Sequence, residues 1–185
     1  MHQTTTLRSV HGNRTRGFTL VEVVIVLVAL GILASIAIPR FVNLKGDAQL
    51  AVLKGVRGAL NSTTEIYQPL AAIRGVYTGN LNVNGTNVRF HSGYPEGNWN
   101  QTFRHILDIS TKSSFTNANA LCTQYRLCGV GMQASIPTVS GTTGGRGVII
   151  WPEGFRISEQ CFAYYYNRHD GSYPMIGVVD TGCQA

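Results

Sequence analysis

The sequence predicts an α+β fold: one long N-terminal α-helix packed on an antiparallel β-sheet head that is closed by a C-terminal disulfide loop. Three observations lead there. An apolar run of 21 residues, Phe18 to Ile38, is broken by a single carboxylate, Glu22. Beyond Pro39 the apolar residues recur every three or four positions, the mark of a one-sided helix. Downstream, short alternating segments are punctuated by turn residues, and four cysteines fall in the C-terminal third.

Residues 1–17 are polar, hold Arg8, Arg14 and Arg16 and contain no acid. They lack the apolar core that a secretory signal places ahead of its cleavage site. Here the apolar block follows the basic leader, so the anchor stays with the chain and its basic flank stays cytoplasmic. As a helix, Phe18 to Ile38 spans about 30 Å, the thickness of one bilayer core. Glu22 lies in its first turn. Ionised and unpaired in lipid, such a carboxylate costs roughly a few kcal/mol, so it either snorkels to the headgroups or has a task.

Gly31, Ser35 and Pro39 weaken the end of this block. A glycine costs a helix about 1 kcal/mol, and a proline removes a donor and crowds the preceding turn. The stretch Gly31 to Pro39 is therefore the expected place for a kink or for local melting. Past it, Phe41, Leu44, Ala48, Val52, Val56, Ala59, Thr63, Ile66 and Leu70 share one helical face, with Lys45, Lys54, Arg57 and Glu65 mostly off it. The helix is expected to end near Pro69, roughly 75 Å from Phe18 if unbroken.

The head reads as β-rich. In LNVNGTNVRF, residues 81–90, Leu81, Val83, Val88 and Phe90 alternate around Asn84-Gly85, a hairpin signal. Asn98 can cap a short helix whose apolar face is Trp99, Phe103, Ile106 and Leu107. Further strands are expected at Gly147 to Trp151, Cys161 to Tyr166 and Tyr173 to Val179. Antiparallel strands against the amphipathic half of the helix would bury both apolar surfaces at once.

Cys122, Cys128, Cys161 and Cys183 have no CxxC spacing and no nearby histidine pair, which argues against a zinc site. An even count beyond a membrane segment suits two disulfides in an exported head rather than buried thiols. Of three connectivities, Cys122 with Cys128 and Cys161 with Cys183 is favoured, because each closes a compact loop.

Gly17 followed by Phe18, with Glu22 the fifth residue counted from Phe18 and an apolar run behind it, resembles the start of bacterial type IV prepilins. The resemblance implies a type IV pilin fold. It further implies cleavage between Gly17 and Phe18 by a dedicated membrane aspartic peptidase, N-methylation of the new Phe18 amine, and pairing of that amine with Glu22 of a neighbouring subunit during assembly. The organisation expected is a cleaved leader 1–17, a transmembrane and filament-core helix 18–38, its amphipathic continuation 39–70 and a head 71–185. The segment 39–60, the GYP at 93–95 with the short helix ending in Leu107-Asp108-Ile109, and CFAYYYN at 161–167 resemble more closely the mannose-sensitive haemagglutinin type.

What this implies is a self-polymerising subunit of a surface filament used for attachment. Its partners would be other copies of itself, the prepilin peptidase, inner-membrane assembly machinery and a surface or glycan receptor. The precursor would sit in the inner membrane with its head in the periplasm, and the mature chain in the extracellular pilus. A type II secretion pseudopilin or a minor pilin that primes assembly is the alternative; pseudopilins usually lack the C-terminal disulfide and carry calcium.

Other chemistry is poorly supported. The formal net charge is +6, but three of the 15 basic residues and none of the 9 acids lie in the leader, so the remainder carries +3 in scattered positions. No nucleic-acid role is expected. The glycine-rich 141–147 lacks the ending of a phosphate loop and reads as a flexible turn. His91 and His105 look isolated, and His169, Asp170 and Ser172 read as solvated loop residues rather than a triad. Asp170 and Asp180 lack the clustered oxygens of a calcium site. Tyr164, Tyr165, Tyr166 and Tyr173 read as strand core first and as a sugar-stacking surface second. No enzyme activity, cofactor or metal is expected.

Overall fold

The computed structural model describes residues 17–107, 113–115 and 117–183, and only the backbone of 38–45 and 113–115. The leader residues 1–16 and the pair Asp108-Ile109 lie outside the described residues. By contacts the chain divides into two units, Met1–Phe41 and Val42–Ala185, with helix α1 (Leu20–Ile73) running through both. In the first unit every side chain from Phe18 to Ile36 is exposed.

In the second unit, α1 buries Leu53, Val56, Leu60, Thr63, Thr64 and Ala71. This stripe shares Val56 and Thr63 with the expected face but is turned from it toward Leu53, Leu60 and Thr64, leaving Val52 and Ile66 48% and 63% exposed. The spacing fitted both stripes, and the sheet selected the one with the leucines. Thr64 satisfies its buried hydroxyl by donating to the Leu60 carbonyl at 2.9 Å.

Helix α1 also continues four residues past Pro69. Leu70 and Ala71 join an apolar cluster with Leu81, Val88, Phe90 and Ile106, which outweighs the missing donor. The helix then stops in a Schellman motif at Gly75 (φ 66), where the Val76 N–H reaches Ala71 O at 2.9 Å and the Gly75 N–H reaches Ala72 O at 3.1 Å.

Two sheets follow. The first is β1 (Gly79–Val83), β2 (Thr86–His91) and β3 (Tyr94–Pro95), all antiparallel. Its hairpin pairs Val83 with Thr86 across Asn84 (φ 49) and Gly85 (φ 84), the two positive angles of a type I′ turn. The second has the order β4 (Ser113–Phe115), β5 (Leu127–Gln133), β6 (Arg146–Pro152), β7 (Phe162–Asn167) and β8 (Met175–Val179). It is antiparallel except that edge strand β4 runs parallel to β5.

Between the sheets, Asn98 caps the next segment by accepting the Gln101 N–H. That segment is a π-helical turn (Trp99–Phe103) followed by a single α-turn (Arg104–Ile106), and its apolar residues do not share one destination. Trp99, Phe103 and Leu107 enter the main core, whereas Ile106 enters the smaller cluster. The wider turn seats Trp99 over β5, where a Cβ on Gly129 would lie 2.9 Å from its ring and one on Gly131 2.2 Å from its backbone nitrogen. Those glycines belong to a strand that alternation did not reveal, because it packs small residues under an indole. Similarly, Gly145 and Gly147 in the 141–147 stretch are close approaches to Asn167 and Tyr166 rather than free swivels.

The sheets are tied by polar bonds. Tyr165 Oη donates to Pro95 O at 2.5 Å, Asn167 Nδ2 donates to His91 O at 2.9 Å, and Ser92 Oγ donates to His169 O at 2.8 Å.

Candidate processing and assembly site

Gly17, Phe18 and Thr19 precede α1 without regular structure, and the helix starts at Leu20. Thr19 explains that start. Its carbonyl accepts the Glu22 N–H at 3.1 Å and its Oγ1 accepts the same N–H at 3.3 Å, an N-cap that places Glu22 third in the helix. Thr19-Leu20-Val21-Glu22 is the Thr-x-x-Glu pattern of a capping box. That signal was readable in the sequence and identifies Thr19 as a residue the motif reading omitted. A carboxylate in the first turn also lies at the positive end of the helix dipole.

Phe18, 84% exposed, lies on the same face as Glu22 and Val26, and with Val23 and Leu27 these residues line an open groove of about 330 Å³. Apart from Glu22 this face is apolar. The span Leu20–Ala37 is long and apolar enough to cross a membrane, and none of it is buried. At Gly31 a Cβ would meet no atom within 4 Å, so space does not dictate the glycine. Ser35 returns its hydroxyl to Ile32 O at 2.7 Å, and the backbone is helical through both Gly31 and Pro39.

The cysteines are joined as Cys122–Cys128 and Cys161–Cys183, with Cα separations of 5.7 and 4.8 Å. The first loop is sewn to the β6 turn by Cys122 N–H to Phe155 O at 3.0 Å and Gly154 N–H to Cys122 O at 2.8 Å. The second ties the segment after β8 to the start of β7. There Gly182 is required, since a Cβ would lie 1.6 Å from Glu159 O.

His91 is not isolated. His91 and His169 stack with ring centroids 3.7 Å apart, and both are half-buried, which corrects the reading of His169 as a solvated loop residue. Desolvation, then His91, then Arg146 lower the His169 pKa from 6.5. Ser172 donates to Asp170 Oδ1 through both its hydroxyl and its N–H, at 2.6 and 2.9 Å, and this lowers the Asp170 pKa. Burial pushes the Tyr165 phenol well above 10. Tyr165 and Tyr166 are core, Tyr164 is partly buried, and Tyr173 is half exposed with its ring edge-on to Tyr94 at 5.8 Å. Among the described residues no group of three or more His, Cys, Asp or Glu could hold a metal ion.

Residues 12–38 match the family described as the prokaryotic N-terminal methylation motif. The chain is 45% identical over 53 residues to the type IV narrow pilus major component PilA5 of Thermus thermophilus. That match covers 29% of this chain and 46% of the relative, so about half of the relative's length is matched. No solved structure matches. The motif and the relative support a type IV pilin, and with the apolar helix they fit an inner-membrane precursor and a pilus subunit.

Proposed function

We propose that this chain is the structural subunit of a type IV pilus that serves surface attachment. One observation carries the reading: Gly17-Phe18 stands directly before a capped helix whose first turn holds Glu22 and whose apolar span Leu20–Ala37 is unburied. Cleavage between Gly17 and Phe18 creates an amine one turn from a carboxylate. In lipid each of these charges is costly, and in a filament the amine of one subunit neutralises the Glu22 of another. The exposed face of Phe18, Glu22 and Val26 is then covered by neighbouring helices, which also removes apolar side chains from lipid-free surroundings once the subunit leaves the membrane. The uncleaved chain has no amine at Phe18 and assembles poorly for that reason.

The partners follow: further copies of the chain, a prepilin peptidase that also methylates the Phe18 amine, and the inner-membrane assembly machinery. The head faces the periplasm before assembly, the compartment in which Cys122–Cys128 and Cys161–Cys183 can form. Attachment as the filament's use, and the mannose-sensitive haemagglutinin subtype, are supported by CFAYYYN at 161–167 and GYP at 93–95. The Cys161–Cys183 disulfide favours a pilin over a type II secretion pseudopilin. Electron microscopy of sheared surface fibres, with intact-mass identification of the subunit, tests the proposal. A fibre subunit beginning at a methylated Phe18 is expected; a cell that makes the protein but carries it in no fibre overturns the role of major subunit.

A further inference from the structure

We infer that the head carries a saccharide-binding cleft between Tyr77 and Tyr94, built from the end of α1, the β2–β3 turn and the β7–β8 loop. This rests on the attachment role proposed above and names its ligand class. The cleft, of about 320 Å³, is lined by Tyr77, Ser92, Tyr94 and Gln68 together with glycines and short apolar residues of the same segments. That volume is at the lower end for small-ligand sites.

Its shape is held before any ligand arrives. The Gly93 N–H donates to Tyr77 O at 2.6 Å and the Ser92 N–H to Thr78 Oγ1 at 3.1 Å, which fastens the segment after α1 to the β2–β3 turn. Ser92 Oγ to His169 O, with the His91–His169 stack, fastens the β7–β8 loop to the same turn. A glycine keeps the space open: a Cβ on Gly171 (φ 82) would lie 3.0 Å from the Tyr77 hydroxyl. Tyr77 is nevertheless 64% exposed, and Tyr173, edge-on to Tyr94, is 50% exposed. Tyrosines held in place yet left open to solvent are not explained by packing.

The chemistry of the lining selects the ligand. It contains no Lys, Arg, Asp or Glu, so nothing in it compensates an ionic group. Phenol hydroxyls and a glutamine supply both donors and acceptors around aromatic faces. A pyranose ring offers the complement, a C–H face to lie on a ring and a rim of hydroxyls to hydrogen-bond.

The test uses the processed full-length chain in detergent micelles on an array of neutral hexose and N-acetylhexosamine oligosaccharides, with tetramethylammonium and a sialylated glycan as competitors. Retention of at least one neutral glycan is expected. Tyr77→Ala and Tyr94→Ala, which alter side chains of the lining and should leave both disulfides intact, are each expected to weaken it about tenfold, the worth of one aromatic contact. No neutral glycan retained, equal retention by both variants, or displacement only by the charged competitors overturns the inference. Fibres from the same strains separate the two readings. Normal fibres without glycan retention remove the cleft and leave the pilin, whereas retention without fibres does the reverse.

Discussion

Thr19 Oγ1 accepts the backbone N–H of Glu22 at 3.3 Å, so the helix that carries the carboxylate begins within two residues of Phe18. Thr19→Ala removes the cap and is expected to destabilise the first turn by about 1 kcal/mol. Hydrogen exchange of the processed chain in micelles should quicken at Leu20 to Val23, while Thr19→Ser stays close to the parent. Unchanged exchange in the alanine variant would show that the cap does not set the helix start.

Glu22→Val removes the one carboxylate on an otherwise apolar face. The variant is expected to be cleaved after Gly17 and retained in the membrane, yet to enter fibres several-fold less well, as read by immunoblot of sheared fibres against whole cells. Full piliation would sink the charge-pairing argument.

The two disulfides differ in reach, with sequence separations of 22 for Cys161–Cys183 and 6 for Cys122–Cys128. Loop-closure entropy alone makes the longer one worth about 1 kcal/mol more, within a usual total of about 2–4 kcal/mol. Urea unfolding of the double-serine variants should therefore show the larger loss for Cys161/Cys183. The opposite order would mean that attachment of the short loop to the β6 turn outweighs chain entropy.

Tyr165 Oη donates across the sheets to Pro95 O from a fully buried ring. Tyr165→Phe is expected to cost about 1 kcal/mol in urea unfolding, the net worth of one hydrogen bond. Because burial holds its pKa well above 10, ultraviolet titration should show the Tyr165 phenol ionising only when the head unfolds. Ionisation of Tyr165 while the head stays folded would contradict its burial.

The His91–His169 stack sets a pH dependence. The His169 pKa is lowered in the folded chain, so below about 6.5 the unfolded chain takes up a proton that the folded chain refuses. Stability is then full above that pH, falls as pH drops toward the lowered folded value, and falls no further from this group below it. Desolvation lowers the His169 pKa most, and the facing His91 and then Arg146 reinforce the effect. His169→Gln should flatten the melting temperature between pH 7 and 5, and an unchanged slope would assign the dependence elsewhere.

Much of this protein was legible in the chain alone, wherever the signal was local. Length and hydrophobicity marked the apolar helix, two consecutive residues able to take positive φ marked the Asn84-Gly85 hairpin, and Gly17-Phe18 with Glu22 marked the segment that matches the N-terminal methylation motif. Tertiary structure decided what local signals leave degenerate. Helical spacing placed Val56 and Thr63 on the buried face but could not tell whether that face turns toward Val52 or Leu53; contact with the sheet did. Pro69 was a valid stop signal until Leu70 and Ala71 found a cluster that repaid the lost donor. Strand β5 was hidden because Gly129 and Gly131 are small to admit Trp99, a reason that lies in another segment. Likewise the His91–His169 stack and the Tyr77–Tyr94 cleft join residues far apart in sequence, and such juxtapositions exist only once the sheets have closed on one another.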